Sequence, residues 1–438
     1  MEGLKRSVTF WEALSINVSA IIGAGIFTVS GVAAGLAGPS SLLAVIVGAL
    51  IAIFTGMSFA ELAHMYAREG GNYEYSREVL GSYAGYIAGF IWIIATIVSG
   101  AAVALSFGGY FTSILNVASP EVIAALLILI LAIINYFGVK HSARLATILI
   151  TINIAILILF AVAGIFFVKL SNFTPFFPKG ISGMLASSAF IFFAYTGFAR
   201  ITMLGEEIEE PKKTIPRAII LSIAISAMIY ILVMFVLIGI VPYAQIDNSK
   251  SPLAQAIFYA THNSTLEYTI SVGAMIATIN VDLAMILGLS RVVFAMARDK
   301  DLPKSLAKIN KYGAPSTAIL FSTVIMILTI FTISFKNIIS FSNAAALTSY
   351  VIANLAAIKL AFMRRGNKRM LFRYRYFIAI PILGFVLTIM LLSFLTRLSI
   401  ILTFLTLIIT FYYVLVRAER ERLGIKSVYK KEKKKMNW

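Results

Sequence analysis

Apolar positions in this chain gather into long runs separated by short polar segments. A run of about 20 apolar residues covers the roughly 30 Å hydrocarbon core of a bilayer. Twelve such runs can be read, near residues 11–36, 40–65, 82–115, 121–139, 144–168, 183–205, 216–241, 266–297, 315–334, 338–362, 376–395 and 398–416. Each predicts a helix, because backbone in hydrocarbon has to satisfy its own N–H and C=O groups. Two runs are interrupted. Residues 18–31 read VSAIIGAGIFTVSG, with Gly23, Gly25 and Gly31 inside an apolar stretch. Residues 192–205 read FFAYTGFARITMLG, where Gly197 follows Tyr195 and Thr196.

Composition agrees with the pattern: 60% hydrophobic residues, 13% charged and a mean hydropathy of +0.92 over 438 residues exclude a water-soluble globule. The fold class expected is an all-α polytopic membrane protein. No short hydrophobic leader with a small-residue cleavage site precedes the first run, so the amino terminus is expected to be retained. The 37 lysines and arginines alternate between sides. One side takes Lys5, Arg6, Arg68, Arg77, Lys140, Arg144, Lys212, Lys213, Arg217, residues 298–311, 364–375 and the tail from Arg417 to Lys435. The other takes only Lys169, Lys179, Lys250, Lys336 and Arg397. Because translocated loops are poor in Lys and Arg, both termini are expected in the cytoplasm, with the protein in the cytoplasmic membrane. The net charge of +18 then follows from topology and needs no nucleic-acid partner; the KKEKKK run at 430–435 suits anionic headgroups.

Chemistry is constrained by what is missing from the sequence. There is no cysteine, and His64, His141 and His262 are scattered, so thiolate metal sites and disulfides are excluded and a metal centre is not expected. No GxSxG, HExxH or GxxxxGK[ST] pattern occurs. No enzyme activity and no cofactor are expected, and any energy has to come from a gradient.

The two interrupted runs open spans one to five and spans six to ten. A five-span repeat reverses topology, so the halves would be related as an inverted repeat, residues 1–182 and 183–362, followed by peripheral helices at 363–416 and a basic tail at 417–438. Unwinding at mid-membrane leaves backbone groups free to face protein, water or substrate. Amides from Gly23 to Ile26 would lie at a positive helix end suited to a carboxylate, and carbonyls at the ends of the first half-helices would suit an ammonium group. A zwitterion fits both. Glycines in membrane helices also permit close packing. We read Gly31, Gly35, Gly56, Gly108 and Gly109 that way, and Gly23, Gly25 and Gly197 as marking breaks.

Four segments carry a family resemblance: IIGAGIF at 21–27, FAELAHMYAREGGNYEYSREVLG at 59–81, TGFARITMLGEEIEEPKKTIPRAI at 196–219 and GLSRVVFAMARDKDLP at 288–303. In that order they resemble the amino acid/polyamine/organocation permeases over roughly residues 7–362. The resemblance implies the five-plus-five inverted-repeat fold with discontinuous helices one and six. It also implies alternating access by rocking spans one, two, six and seven against a scaffold. Carried over to this chain, it implies that Gly23, Ala24 and Gly25 offer amides to a substrate carboxylate. The carbonyls of Ile21, Phe193, Ala194 and Thr196 would then receive the amino group, with Phe193 as an aromatic lid. Spans three, eight and ten would set side-chain selectivity.

Ionisable residues inside spans are costly and face a partner or a pathway. Glu61 reads as structural, paired with an arginine. Arg200 reads either as an inner-gate residue paired with Glu206 or Glu207, or as an interfacial cation. Asp282, central in ATINVDLAMILGLSR, reads as a proton carrier, a contact for a cationic substrate, or an acid satisfied by Asn280 or Ser290. Some proton-coupled members of the resembling family carry a lysine in mid-span five. This chain has Asn153 there, which leaves a hydrogen-bonding spacer, a sodium ligand or uncoupled exchange open. The function expected is secondary transport of an amino acid, with proton symport preferred over sodium symport or exchange. Transport of another amine is the second class, and a non-transporting sensor is disfavoured by the lack of a large soluble segment.

Overall fold

The computed structural model describes residues 8–66, 71–115, 117–137, 143–204, 208–247, 249–298, 301–363 and 378–435. In chain order the helices are α1 (Phe10–Ile21), α2 (Ala24–Ala37), α3 (Ser41–Met65), α4 (Asn72–Leu80), α5 (Ser82–Ile114), α6 (Pro120–Tyr136), α7 (Ala143–Ile165) and α8 (Gly180–Tyr195). They continue with α9 (Pro211–Ile240), α10 (Pro252–Thr261), α11 (Ser264–Arg298), α12 (Ser316–Thr332), α13 (Phe335–Met363), α14 (Ala379–Leu392) and α15 (Arg397–Lys435). Among the described residues the apolar runs read from the sequence fall largely on helix. Among the described residues, seven helical stretches are long and apolar enough to cross a membrane, and four shorter helices are also apolar. The only pairing of extended backbone among them is one parallel bridge between Val8 and Ile208.

Local chemistry explains where helices begin. Thr9 and Glu12 form a reciprocal capping box at α1, the Thr9 backbone N–H donating to the Glu12 carboxylate at 2.8 Å. Pro120, Pro211 and Pro252 occupy first helical positions of α6, α9 and α10, where a missing N–H costs nothing. Hydropathy does not reveal α4 and α10, which are short and lie between the runs. Nor does it show that the basic tail continues α15 as helix to Lys435.

Burial sorts the helices. Ala24 to Gly35 of α2 are buried throughout, whereas α15 exposes Phe404 at 61% and Ile409 at 62%. The core therefore centres on α1, α2 and α8, wrapped by α3, α5, α9, α11 and α13. Large apolar side chains on the rim suit lipid. Gly31, Gly56 and Gly109 meet neighbouring segments closely: a methyl at Gly31 would stand 2.7 Å from the Ile246 carbonyl, and one at Gly56 would stand 2.9 Å from Ile219. Close packing is thus their visible role.

Candidate functional site

The first interrupted run is a discontinuous helix, and the second changes from α-helix to 3-10 geometry beside its glycine. In the first, the Ile22 amide closes α1 on the Val18 carbonyl at 2.7 Å. Gly23, at φ −96° and ψ −127°, then leaves helical geometry before α2 begins at Ala24. The first-turn amides of a helix have no partner within it, and Gly23 at the cap position has no side chain to satisfy them. In the second, α8 stops at Tyr195 and the chain tightens into a 3-10 segment, Thr196–Leu204.

The two breaks face one another. A methyl on Gly25 would stand 2.6 Å from Cα of Ala194, and one on Gly197 would run into the Ala20 carbonyl. Each break therefore needs a glycine where the other helix crosses it, so these glycines mark breaks and permit close packing at once. Val281 of α11 closes on Gly23 from a third side.

The carbonyls that the resemblance assigns to a substrate amine are all engaged by side-chain hydroxyls. Tyr230 of α9 donates to the Ile21 carbonyl at 2.6 Å and reaches the Ala194 carbonyl at 3.2 Å. The Thr196 hydroxyl donates to the Phe193 carbonyl at 2.8 Å. Tyr350 of α13 donates to the Thr196 carbonyl at 2.7 Å. These bonds account for how the chain leaves helical geometry deep in the protein without orphaned acceptors. Sequence pattern alone does not single out Tyr230 or Tyr350; a hydroxyl within an otherwise apolar helix is the available signal.

Around this centre, Phe193 is buried, and Tyr350 sits in an aromatic cluster with Phe59, Phe192 and Phe198 at ring separations of 5.5, 6.0 and 5.2 Å. Asn343 of α13 donates to the Ala189 carbonyl at 2.8 Å, and Asn17 of α1 donates to Ser222 of α9 at 2.7 Å.

Asp282 of α11 is fully buried, and among the described residues neither carboxylate oxygen has a hydrogen-bond partner. It lies where a methyl on Gly100 of α5 would come within 3.5 Å of one carboxylate oxygen and 2.7 Å of Met326 of α12. The two residues expected to satisfy it turn elsewhere: Asn280 donates to Ser19 at 3.2 Å and Ser290 to the Leu287 carbonyl at 3.0 Å. Arg200, in the 3-10 segment and part-buried, is in electrostatic reach of both Asp282 and Tyr350. Glu206 and Glu207 lie outside the described residues. Asn153 of α7 is buried with both side-chain polar atoms unpartnered among the described residues. Glu61 is likewise fully buried. Ile21, Gly23, Ala24, Gly25, Ile26, Phe193, Ala194, Thr196 and Gly197 thus form one locus, whereas Asp282 approaches α5 and α12 beside it.

A separate open cleft of about 780 Å³ at the far end of α5 is lined in part by Thr112, Ser113, Lys250 and Gln255 and contains none of these residues. The paired breaks are the better candidate, because backbone groups converge there from two helices.

The sequence profile described as amino acid permease matches residues 8–418. An uncharacterized transporter of Mycobacterium tuberculosis is 33% identical over 84% of this chain and 83% of its own length. A branched-chain amino acid permease of Bacillus subtilis is 29% identical over 82% of each chain. A methylthioribose transporter of the same bacterium is 32% identical over 70% of this chain and 71% of its own.

Proposed function

The chain belongs to the amino acid permease family, and we propose that it is a secondary transporter carrying an amino acid across the cytoplasmic membrane by alternating access. The observation that carries this reading is the juxtaposition of the two breaks. The uncapped amino end of α2 and the carbonyl ends of α1 and α8 come together at one point. Opposite backbone dipoles at a single buried place are what a zwitterion requires. In this reading the amides of Gly23, Ala24, Gly25 and Ile26 hold the carboxylate, the carbonyls of Ile21, Phe193, Ala194 and Thr196 face the amine, Gly197 allows the close approach, and Phe193 covers the site. The twelve helical spans form two inverted five-span repeats plus two peripheral helices, with both termini in the cytoplasm.

Coupling falls to Asp282, a buried carboxylate without a hydrogen-bond partner among the described residues. Arg200 is its electrostatic counterpart and would serve as an inner-gate residue. Loading and unloading a proton on Asp282 would change the balance between two opposite charges held in protein, which suits proton symport. Exchange, or sodium coupling with Asn153 as a ligand, is the alternative coupling.

A second substrate reading is favoured by the methylthioribose transporter among the relatives, a name that points to a substrate other than an amino acid. Uptake into proteoliposomes of labelled neutral and cationic amino acids, amines and methylthioribose, with and without imposed proton or sodium gradients, tests all of these. Accumulation of an amino acid driven by a proton gradient is expected. Uptake of methylthioribose alone would overturn the amino acid reading, and gradient-independent exchange would overturn the symport.

A further inference from the structure

Tyr230 holds an unusual position. One hydroxyl carries one proton, yet it lies within hydrogen-bond distance of carbonyls from two different interrupted helices, Ile21 at the end of α1 and Ala194 near the end of α8. Two carbonyl oxygens directed at one point repel each other unless a donor sits between them. At 2.6 Å the bond to Ile21 is short even for a hydroxyl donor, whereas 3.2 Å to Ala194 is long. The side chain is completely buried, and its ring lies 5.3 Å from that of Tyr195. An ammonium group, with three donors and a full charge, satisfies two converging carbonyls better than one phenol can.

We propose that Tyr230 is the resident donor of the amine subsite: in the unloaded carrier its hydroxyl occupies the carbonyls that a substrate amine takes over on binding. This rests on the breaks being the substrate site. Two consequences follow. Tyr230 competes with the amine, and so lowers affinity for amine-bearing ligands selectively. It also lets the two breaks close on one another when nothing is bound, which net transport requires and exchange does not.

Tyr230→Phe keeps the ring and removes the proton. With L-leucine and L-arginine as amine-bearing probes and 4-methylpentanoate as the amine-free counterpart of leucine, the variant is expected to bind whichever amino acid the wild type binds about 3- to 10-fold more tightly, the scale of one hydrogen bond. Binding of 4-methylpentanoate should stay unchanged. In proteoliposomes net uptake should fall several-fold while counterflow is retained. Tyr195→Phe, whose hydroxyl reaches the Val45 carbonyl at 3.3 Å on α3, is the control and should move neither ratio. Weaker amino acid binding in Tyr230→Phe overturns the proposal, as does an unchanged ratio of net uptake to counterflow. If Tyr230→Phe does not fold, 3-fluorotyrosine at Tyr230, a stronger donor of nearly the same shape, has to weaken amino acid binding; tighter or equal binding overturns the proposal. Failure of the site reading looks different: Gly25→Leu would then bind with wild-type affinity, whatever Tyr230→Phe does.

Discussion

Gly25 gives the sharpest test of whether the two breaks work as one unit. An ideal Cβ at this position stands 2.6 Å from Cα of Ala194 and 2.9 Å from its Cβ, where ordinary contact begins near 3.4 Å. Gly25→Ala therefore forces α2 and α8 apart by roughly 0.8 Å, since backbone, unlike the end of a side chain, cannot swing aside. Where α8 takes up that displacement away from α9, the Ala194 carbonyl, already 3.2 Å from the Tyr230 hydroxyl, leaves hydrogen-bond range. Overpacking by one methyl costs about 1–3 kcal/mol and the lost bond about 1 more, so destabilisation of about 2–4 kcal/mol is expected. Gly288 in α11 is the matched control: nothing lies within 4 Å of the position a methyl would take there, and Gly288→Ala should stabilise the helix by about 0.5–1 kcal/mol. Thermal unfolding in detergent ranks the two variants, and proteoliposome uptake shows that Gly25→Ala loses transport whereas Gly288→Ala does not. Gly25→Leu should abolish substrate binding altogether. Equal melting temperatures and equal uptake in the two alanine variants would refute direct packing of one break on the other.

The same geometry sets the expected behaviour of three other side chains. Phe193→Ala should weaken substrate retention by about 1–3 kcal/mol, through loss of a buried aromatic contact, and equilibrium binding of a transported substrate checks it. Tyr350→Phe keeps the aromatic cluster but leaves the Thr196 carbonyl without its 2.7 Å donor. About 1–3 kcal/mol of stability should be lost, readable by thermal unfolding against a Tyr195→Phe control. Asp282→Asn should remove acceleration of uptake by an inward proton gradient yet retain counterflow of neutral substrates. Selective loss of lysine or arginine recognition would instead assign the carboxylate to substrate, and an unchanged profile would assign it to packing.

Hydropathy locates the long apolar helices because hydrocarbon allows a spanning backbone few alternatives, and the glycine-bearing interruptions can be read because glycine inside an apolar run is costly. The short helices α4 and α10 stay hidden, since neither is long enough to leave a hydropathy signature of its own. The donors are the larger gap. Tyr230 lies 209 residues beyond Ile21, and Tyr350 lies 154 residues beyond Thr196. Spacing in sequence carries no sign of such pairings. Asp282 shows the opposite case. Its burial follows from its place in an apolar run, but the expected partners Asn280 and Ser290 are committed elsewhere, because a turn of helix points them at Ser19 and at the backbone of α11 itself.

The placement of donors also bears on how the protein could move. Of the hydroxyls that satisfy the breaks, Thr196 belongs to the second break itself, whereas Tyr230 comes from α9 and Tyr350 from α13. In a rocking-bundle motion α9 travels with the interrupted helices and α13 stays with the scaffold. The Tyr230 bonds would then persist through the cycle until a substrate amine displaces them, while the 2.7 Å bond from Tyr350 to the Thr196 carbonyl would cross the sliding surface and have to break in each transition. Arg200 follows Thr196 by four residues and lies in electrostatic reach of both Tyr350 and Asp282, so the same surface carries the charges proposed for coupling. A change of charge on Asp282 would act where the scaffold grips the second break. That is a physical route by which proton loading could alter the barrier to reorientation without touching the amine subsite, and it accounts for why Asp282→Asn is expected to spare counterflow.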